Sequence, residues 1–158
     1  MRQWHRGIAA GAALALWAVL LTAGCGEGPE EVSAQELVAK GDEICRLGQQ
    51  RFSEIQGDPP ANSSEAADQT ELLIEESEDE LTALRELEPP EELRQAYDRY
   101  LEARGRVLEF LRRGRDAAEA QDSKAYLEAQ AGVVKRAAQR RQLAQAVGFQ
   151  VCSTVPTS

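Results

Sequence analysis

Residues 91–120, EELRQAYDRYLEARGRVLEFLRRGRDAAEA, decide the fold. Leu93, Tyr97, Tyr100, Leu101, Arg104, Val107, Leu108, Leu111 and Ala118 recur along this run at helical spacing. The spacing predicts one amphipathic helix from about Glu91 to Ala120, and its apolar stripe needs other helices to bury against. Pro89 and Pro90 force a tight connection ahead of it, with Pro90 suited to the first helical turn. Arg104 falls inside the apolar stripe. Its simplest role is to pack its stem while the head reaches a carboxylate or water; the alternative is a site for an anionic ligand. Arg112, Arg113 and Arg115 lie in the last third of the run, where positive charge suits the helix dipole.

Working outward from that helix, the pattern repeats on both sides. Towards the N-terminus, Asn62, Ser63 or Ser64 caps a helix running to about Leu87, with Ala66, Thr70, Leu73, Ile74, Ser77, Leu81, Leu84 and Leu87 inward. Before it, Gly57-Asp58-Pro59-Pro60 breaks the chain. The helix before that break starts at Ser33, where Ser33 and Glu36 form a capping box, and runs to about Gln56. Leu37, Gly41, Ile44, Gly48, Phe52 and Ile55 make its stripe, and Cys45 borders it. Gly41 and Gly48 lower helix propensity but allow a neighbouring helix to approach closely. Towards the C-terminus, Asp122 or Ser123 caps a helix to about Val147, with Tyr126, Leu127, Gln130, Val133, Val134, Ala137, Arg141, Ala144 and Val147 inward or at its border. Gly148 fits a left-handed C-cap, with Phe149 as its accompanying hydrophobic contact. Strand-like alternation is nowhere sustained. The expected fold is all-α: a four-helix antiparallel up-down-up-down bundle over residues 33–158.

The first residues read differently. Arg2 and Arg6 precede an apolar run from Ile8 to Leu21, followed by Leu21-Thr22-Ala23-Gly24-Cys25. This layout resembles the processing signal of bacterial lipoproteins, in which a small residue precedes a cysteine that carries a diacylglyceryl thioether and becomes the new N-terminus. Ala23, Gly24 and Cys25 match that box, while Thr22 stands where the family usually has Leu. The resemblance implies a signal peptide over residues 1–24 that is removed. It also implies lipidation of Cys25, with acyl chains such as palmitate, and a short tether over residues 25–32. The expected location is extracytoplasmic, lipid-anchored to the bacterial cell membrane. An uncleaved membrane helix and a signal cut without lipidation are the alternatives. A spanning helix needs about 20 apolar residues, and this run is shorter and interrupted by Gly11.

Removing residues 1–24 takes away Met1, Trp4, His5 and Trp17, leaving no His, Trp or Met. Loss of histidine matters most, because imidazole is the commonest metal ligand and the usual general base near neutral pH. With Cys25 acylated, two cysteines remain, and in an exported protein Cys45 and Cys152 are expected to form one disulfide. The alternative is two separate buried thiols; zinc would need two carboxylates to complete its ligand set. In an up-down-up-down bundle the end of the fourth helix lies beside the start of the first. Phe149-Gln150-Val151 running back in extended form would bring Cys152 towards Cys45.

Charge is unevenly placed. The whole chain carries −9, and removal of Arg2 and Arg6 makes it −11. From Glu65 to Glu92 twelve acids face one base, Arg85; from Leu93 onward twelve bases face seven acids. Intramolecular complementarity between neighbouring helices is the expected use of this asymmetry. Glu75, Glu76, Glu78, Asp79 and Glu80 are the candidate cation-binding cluster, but they fall around the helix, and most are expected to be solvated. Nucleic acid is not an expected partner of a chain this acidic.

Gly41-Asp42-Glu43-Ile44-Cys45, Leu87-Glu88-Pro89-Pro90, Tyr97, Tyr100 and Gly148-Phe149-Gln150-Val151-Cys152 together resemble a class of helical envelope proteins from bacteria with arginine-rich composition. That resemblance implies a fold and a compartment but no activity. No glycine-rich phosphate loop or nucleophile with an evident base is present, so no catalytic residue, cofactor or metal ligand is assigned. The favoured function is a non-enzymatic interaction or structural module with an envelope protein partner. The alternative is a small-ligand or divalent-cation-binding bundle, although the Glu-x-x-His pairs of di-iron bundles cannot form without histidine. An enzyme using paired carboxylates ranks last.

Overall fold

A computed structural model describes residues 32–154. They form α1 (Ala34–Ile55), α2 (Ser63–Arg85), α3 (Glu91–Glu119) and α4 (Ser123–Val147), with no strand among the described residues. Each helix packs against the next in sequence, giving the antiparallel four-helix bundle that the periodicities predict. The expected signal over residues 1–24, the lipidation site Cys25, the tether as far as residue 31, and residues 155–158 lie outside the described residues. No helix among the described residues is long and apolar enough to cross a membrane.

The helix starts follow from local chemistry. Ser33 accepts from the Glu36 amide at 3.2 Å and its own amide donates to the Glu36 carboxylate at 3.3 Å, closing the capping box. Asn62 caps α2 by accepting from the Glu65 amide at 3.0 Å, and Asp122 caps α4 by accepting from the Ala125 amide at 3.0 Å. Pro90 sits one residue earlier than the first turn, at the N-cap of α3. Its carbonyl accepts from the Leu93 and Arg94 amides.

The ends are equally specific. At Gly148 (φ 100°) α4 closes in a Schellman motif: the Gly148 amide donates to Gln145 and the Phe149 amide to Ala144, each at 3.0 Å. Phe149 then turns in and is fully buried. At Gly41 the space of a side chain is occupied by the Phe149 ring. That glycine therefore admits the C-terminal segment, where the sequence predicts an approaching helix. Beyond Phe149 the chain forms a compact turn instead of an extended run, with the Thr154 amide donating to Val151 at 3.0 Å. Asp42 holds this turn against α1 by accepting from the amides of Gln150 (2.9 Å), Val151 (2.9 Å) and Cys152 (3.2 Å). Two turns further along the same face of α1, the Gln49 side chain donates to the Val151 carbonyl at 2.9 Å.

The core lies in layers. At one end Leu37, Leu84, Tyr97, Tyr100, Val147 and Phe149 pack together with Cys45 and Cys152, and Phe149 meets both tyrosine rings edge-on. Ile74, Leu108 and Leu111 form the middle, with Val133 packed on them, and Ala66, Ala67 and Ala118 form the far end beside Tyr126. Between α3 and α4 small residues allow close contact: Phe110 occupies the space beside Gly132, and Ala129 lies against Gly114. By contrast, α1 and α4 barely touch helix to helix. They are joined chiefly through the turn that follows α4.

Candidate functional site

Between the end core and the middle core lies a layer of charge. Glu80 projects from α2, Arg104 from α3 and Arg140 from α4, each about one turn from apolar core residues of its own helix. The Arg104 guanidinium pairs directly with the Glu80 carboxylate, and both side chains are nearly closed to solvent, at 6% and 7% exposure. Gly48 of α1 makes room for that carboxylate. A Cβ there would lie 2.9 Å from Glu80 Cδ, so the second glycine of the α1 stripe admits an acid rather than a helix backbone.

Arg104 therefore plays the simpler of its two expected roles, with its head on a carboxylate, but in the interior rather than at the surface. Burial lowers its pKa, and the opposing charge of Glu80 together with the Tyr100 hydroxyl outweighs that and holds it above the ordinary arginine value. Tyr100, fully buried, is kept a neutral phenol by the same burial, which raises its pKa. Its hydroxyl lies 3.5 Å from Cys45 Sγ.

Arg140 differs. Its Nε is enclosed, with no hydrogen-bond partner among the described residues. Burial pushes its pKa down, and the charge of Arg104 adds to that; an arginine nonetheless stays protonated near neutrality. A cavity of about 220 Å³ opens beside these groups. The disulfide closes one end of it, Arg104, Arg140, Arg141 and Glu80 supply its charge, and Phe52, Val107, Leu111, Val133 and Ala137 supply apolar wall. Ser77 also lines it, with its hydroxyl already donating to the Leu73 carbonyl at 2.7 Å.

Cys45 and Cys152 meet as expected, with Cα atoms 5.2 Å apart and the sulfurs at bonding distance, 2.10 Å. The buried cysteine pair lies at the floor of the cavity. Cys45 does not merely border the α1 stripe; it is part of the core. The acidic run on α2 separates by side. Glu75, Glu78 and Asp79 are exposed, Glu76 is half-buried, and Glu80 is buried, which corrects its expected solvation. Three of the five take arginines: Glu76 pairs with Arg51 at 3.2 Å, Glu78 with Arg112 at 2.6 Å, and Glu80 with Arg104. Glu71 adds Arg115 at 2.6 Å. As the numbers fall along α2 they rise along α3, so the asymmetry of charge becomes a ladder of pairs across the antiparallel seam. Among the described residues no three His, Cys, Asp or Glu side chains gather as a metal site.

On α4 the structure corrects two inward assignments. Leu127 is 67% exposed and Val134 70% exposed. Ala144 and Val147 are buried as expected and Ala129 joins them, with Val133 and Ala137, also expected inward, and Arg140 half-buried beside them. The helix is apolar on both sides, so spacing alone does not distinguish which side faces the core. Arg140 escapes a reading of the sequence for the same reason, since Arg141 lies equally well on the periodic stripe. No protein-family model, curated protein or solved structure matches the chain, and the chemistry of the site rests on its own residues.

Proposed function

We propose that this chain is a non-enzymatic interaction module, tethered to the outer side of the bacterial cell membrane by acylation of Cys25, and that it engages an envelope protein partner through the outer face of α4. The supporting observation is the exposed seam of Leu127, Ala131, Val134 and Ala138. At spacings of four, three and four these residues line one side of the helix. The opposite side already packs into the bundle through Ala129, Ala144 and Val147. A helix apolar on both sides is suited to being covered on both. Glu128 and Lys135 flank the seam and are exposed, as befits charges at the rim of an apolar contact. A partner helix presenting its own apolar stripe fits this face, and the tether would keep the encounter close to the membrane.

The test is a photocrosslinking residue at Val134, compared with one at the exposed Glu109 of α3, in intact native cells. The reading expects one reproducible protein adduct at Val134, absent at Glu109 and lost when Leu127 is changed to Glu. Absence of an adduct at Val134, or equal adducts at both positions, overturns the assignment of the face. An adduct with a second copy of the chain assigns the seam to self-association instead. Mass analysis of the N-terminal peptide tests the anchor, which is refuted by an unacylated Cys25.

A further inference from the structure

The neutral core of a bundle has no use for Arg140. Removing a cation from water costs several kcal/mol unless a partner compensates it. Here the carboxylate whose charge acts on it, Glu80, is already engaged by Arg104. Among the described residues Glu80 is also the only acid lining the cavity, against Arg104, Arg140 and Arg141. Arg141 also brings a positive charge to the lining, while the charged layer of buried Glu80 and Arg104 with half-buried Arg140 carries a net charge of +1. A monoanion would bring it to neutrality.

The walls narrow the choice. The lining side chains from Phe52, Val107, Leu111, Val133 and Ala137 are apolar and stand on helices. Backbone amides in mid-helix are bonded within the helix and are not free to cradle a tetrahedral oxyanion. Guanidinium, by contrast, presents a planar fork that matches a carboxylate. At about 220 Å³ the cavity is larger than an engineered apolar cavity of about 150 Å³ that holds benzene. It has room for a carboxylate with an apolar body of ring size.

We propose that the cavity between α1 and α4 binds a small organic monocarboxylate, its carboxylate on Arg140 and its apolar body against Phe52, Val107, Leu111, Val133 and Ala137. This site opens into the bundle interior and is independent of the exposed seam of α4. The two assignments stand or fall by different measurements.

The experiment uses the full-length protein purified in detergent, with benzoate as the probe and benzyl alcohol and inorganic phosphate as comparisons. Benzoate is expected to raise the melting temperature and to titrate with one-to-one stoichiometry by calorimetry. Benzyl alcohol, which fills the same space without charge, and phosphate, which has charge without an apolar body, are expected to leave the melting temperature unchanged. Arg140→Gln is expected to weaken benzoate binding by about tenfold or more, the loss of a charge-assisted hydrogen bond. It should leave the melting temperature of the unliganded protein level or higher, because it removes a half-buried charge whose enclosed Nε has no partner among the described residues. Ala137→Phe retains every charge while filling the cavity, and should abolish the benzoate response. Failure of benzoate to act, an equal response to benzyl alcohol or phosphate, or undiminished binding by either variant overturns the proposal.

Discussion

Asp42 illustrates how much one side chain can hold in place. Its two oxygens accept three consecutive backbone amides, those of Gln150, Val151 and Cys152, which lie beside α1 with no secondary structure to satisfy them, the last two partly buried. Asp42→Asn removes the charge and turns one acceptor oxygen into a donor facing the Gln150 amide. The expected loss is about 2–3 kcal/mol, from hydrogen bonds to a charged group, read as a lower urea midpoint with an unchanged slope; an unchanged midpoint would show that the clamp contributes nothing to stability. Asp42 entered the sequence reading only within Gly41-Asp42-Glu43-Ile44-Cys45, because no spacing rule links a helix carboxylate to amides more than a hundred residues away. The same holds for Glu80. Among five nearly adjacent acids on α2, what singles it out is that Gly48 on another helix leaves room for it and Arg104 on a third meets it.

At the scale of the helix, starts and stops were legible almost to the residue, since capping chemistry is local: Ser33 with Glu36, Asn62, Asp122 and Gly148 all act within a turn of themselves. Orientation was less legible. The stripe on α3 contains Tyr97, Tyr100, Leu108 and Leu111 on one side and charge on the other, and it faces as expected. On α4, Ala, Val and Leu surround the helix, and Leu127 and Val134 emerge on the outside. One terminus departs from the usual chemistry. Gln121 takes the left-handed position after α3, at φ 57°, where glycine is normally preferred. Its amide donates to Ala118 at 3.0 Å and the next amide, of Asp122, to Ala117 at 2.9 Å, so the closing bonds are in place despite the backbone cost. Gln121→Gly is expected to stabilise the protein by about 1 kcal/mol, the cost of a left-handed residue with a Cβ, measured as a higher midpoint in chemical unfolding. A lower midpoint would mean that the entropy glycine adds to the unfolded chain exceeds the strain it relieves.

For the whole molecule, the bundle and the closure of its ends could be inferred from periodicity and cysteine parity. The charged layer could not, because it arises only where three helices bring Glu80, Arg104 and Arg140 to the same height. The bridge from Cys45 to Cys152 spans a sequence separation of 107. Chain entropy predicts that replacing both cysteines with serine lowers stability by about 4–5 kcal/mol, and a loss below about 1 kcal/mol would mean that the reduced chain is already held closed by Asp42 and Phe149. The position of the bridge has a mechanical consequence as well. A pull applied between Val32 and Thr154 travels along the first turns of α1 to Cys45, crosses the sulfurs to Cys152 and leaves. The load never enters α2, α3 or α4. About 45 Å of contour, the thirteen residues from Val32 to Ile44, is released before tension meets a covalent stop, against about 360 Å for the enclosed loop. A protein held at one end and tugged at the other would thus stretch like a short leash, while the folded bundle hangs from it unstrained.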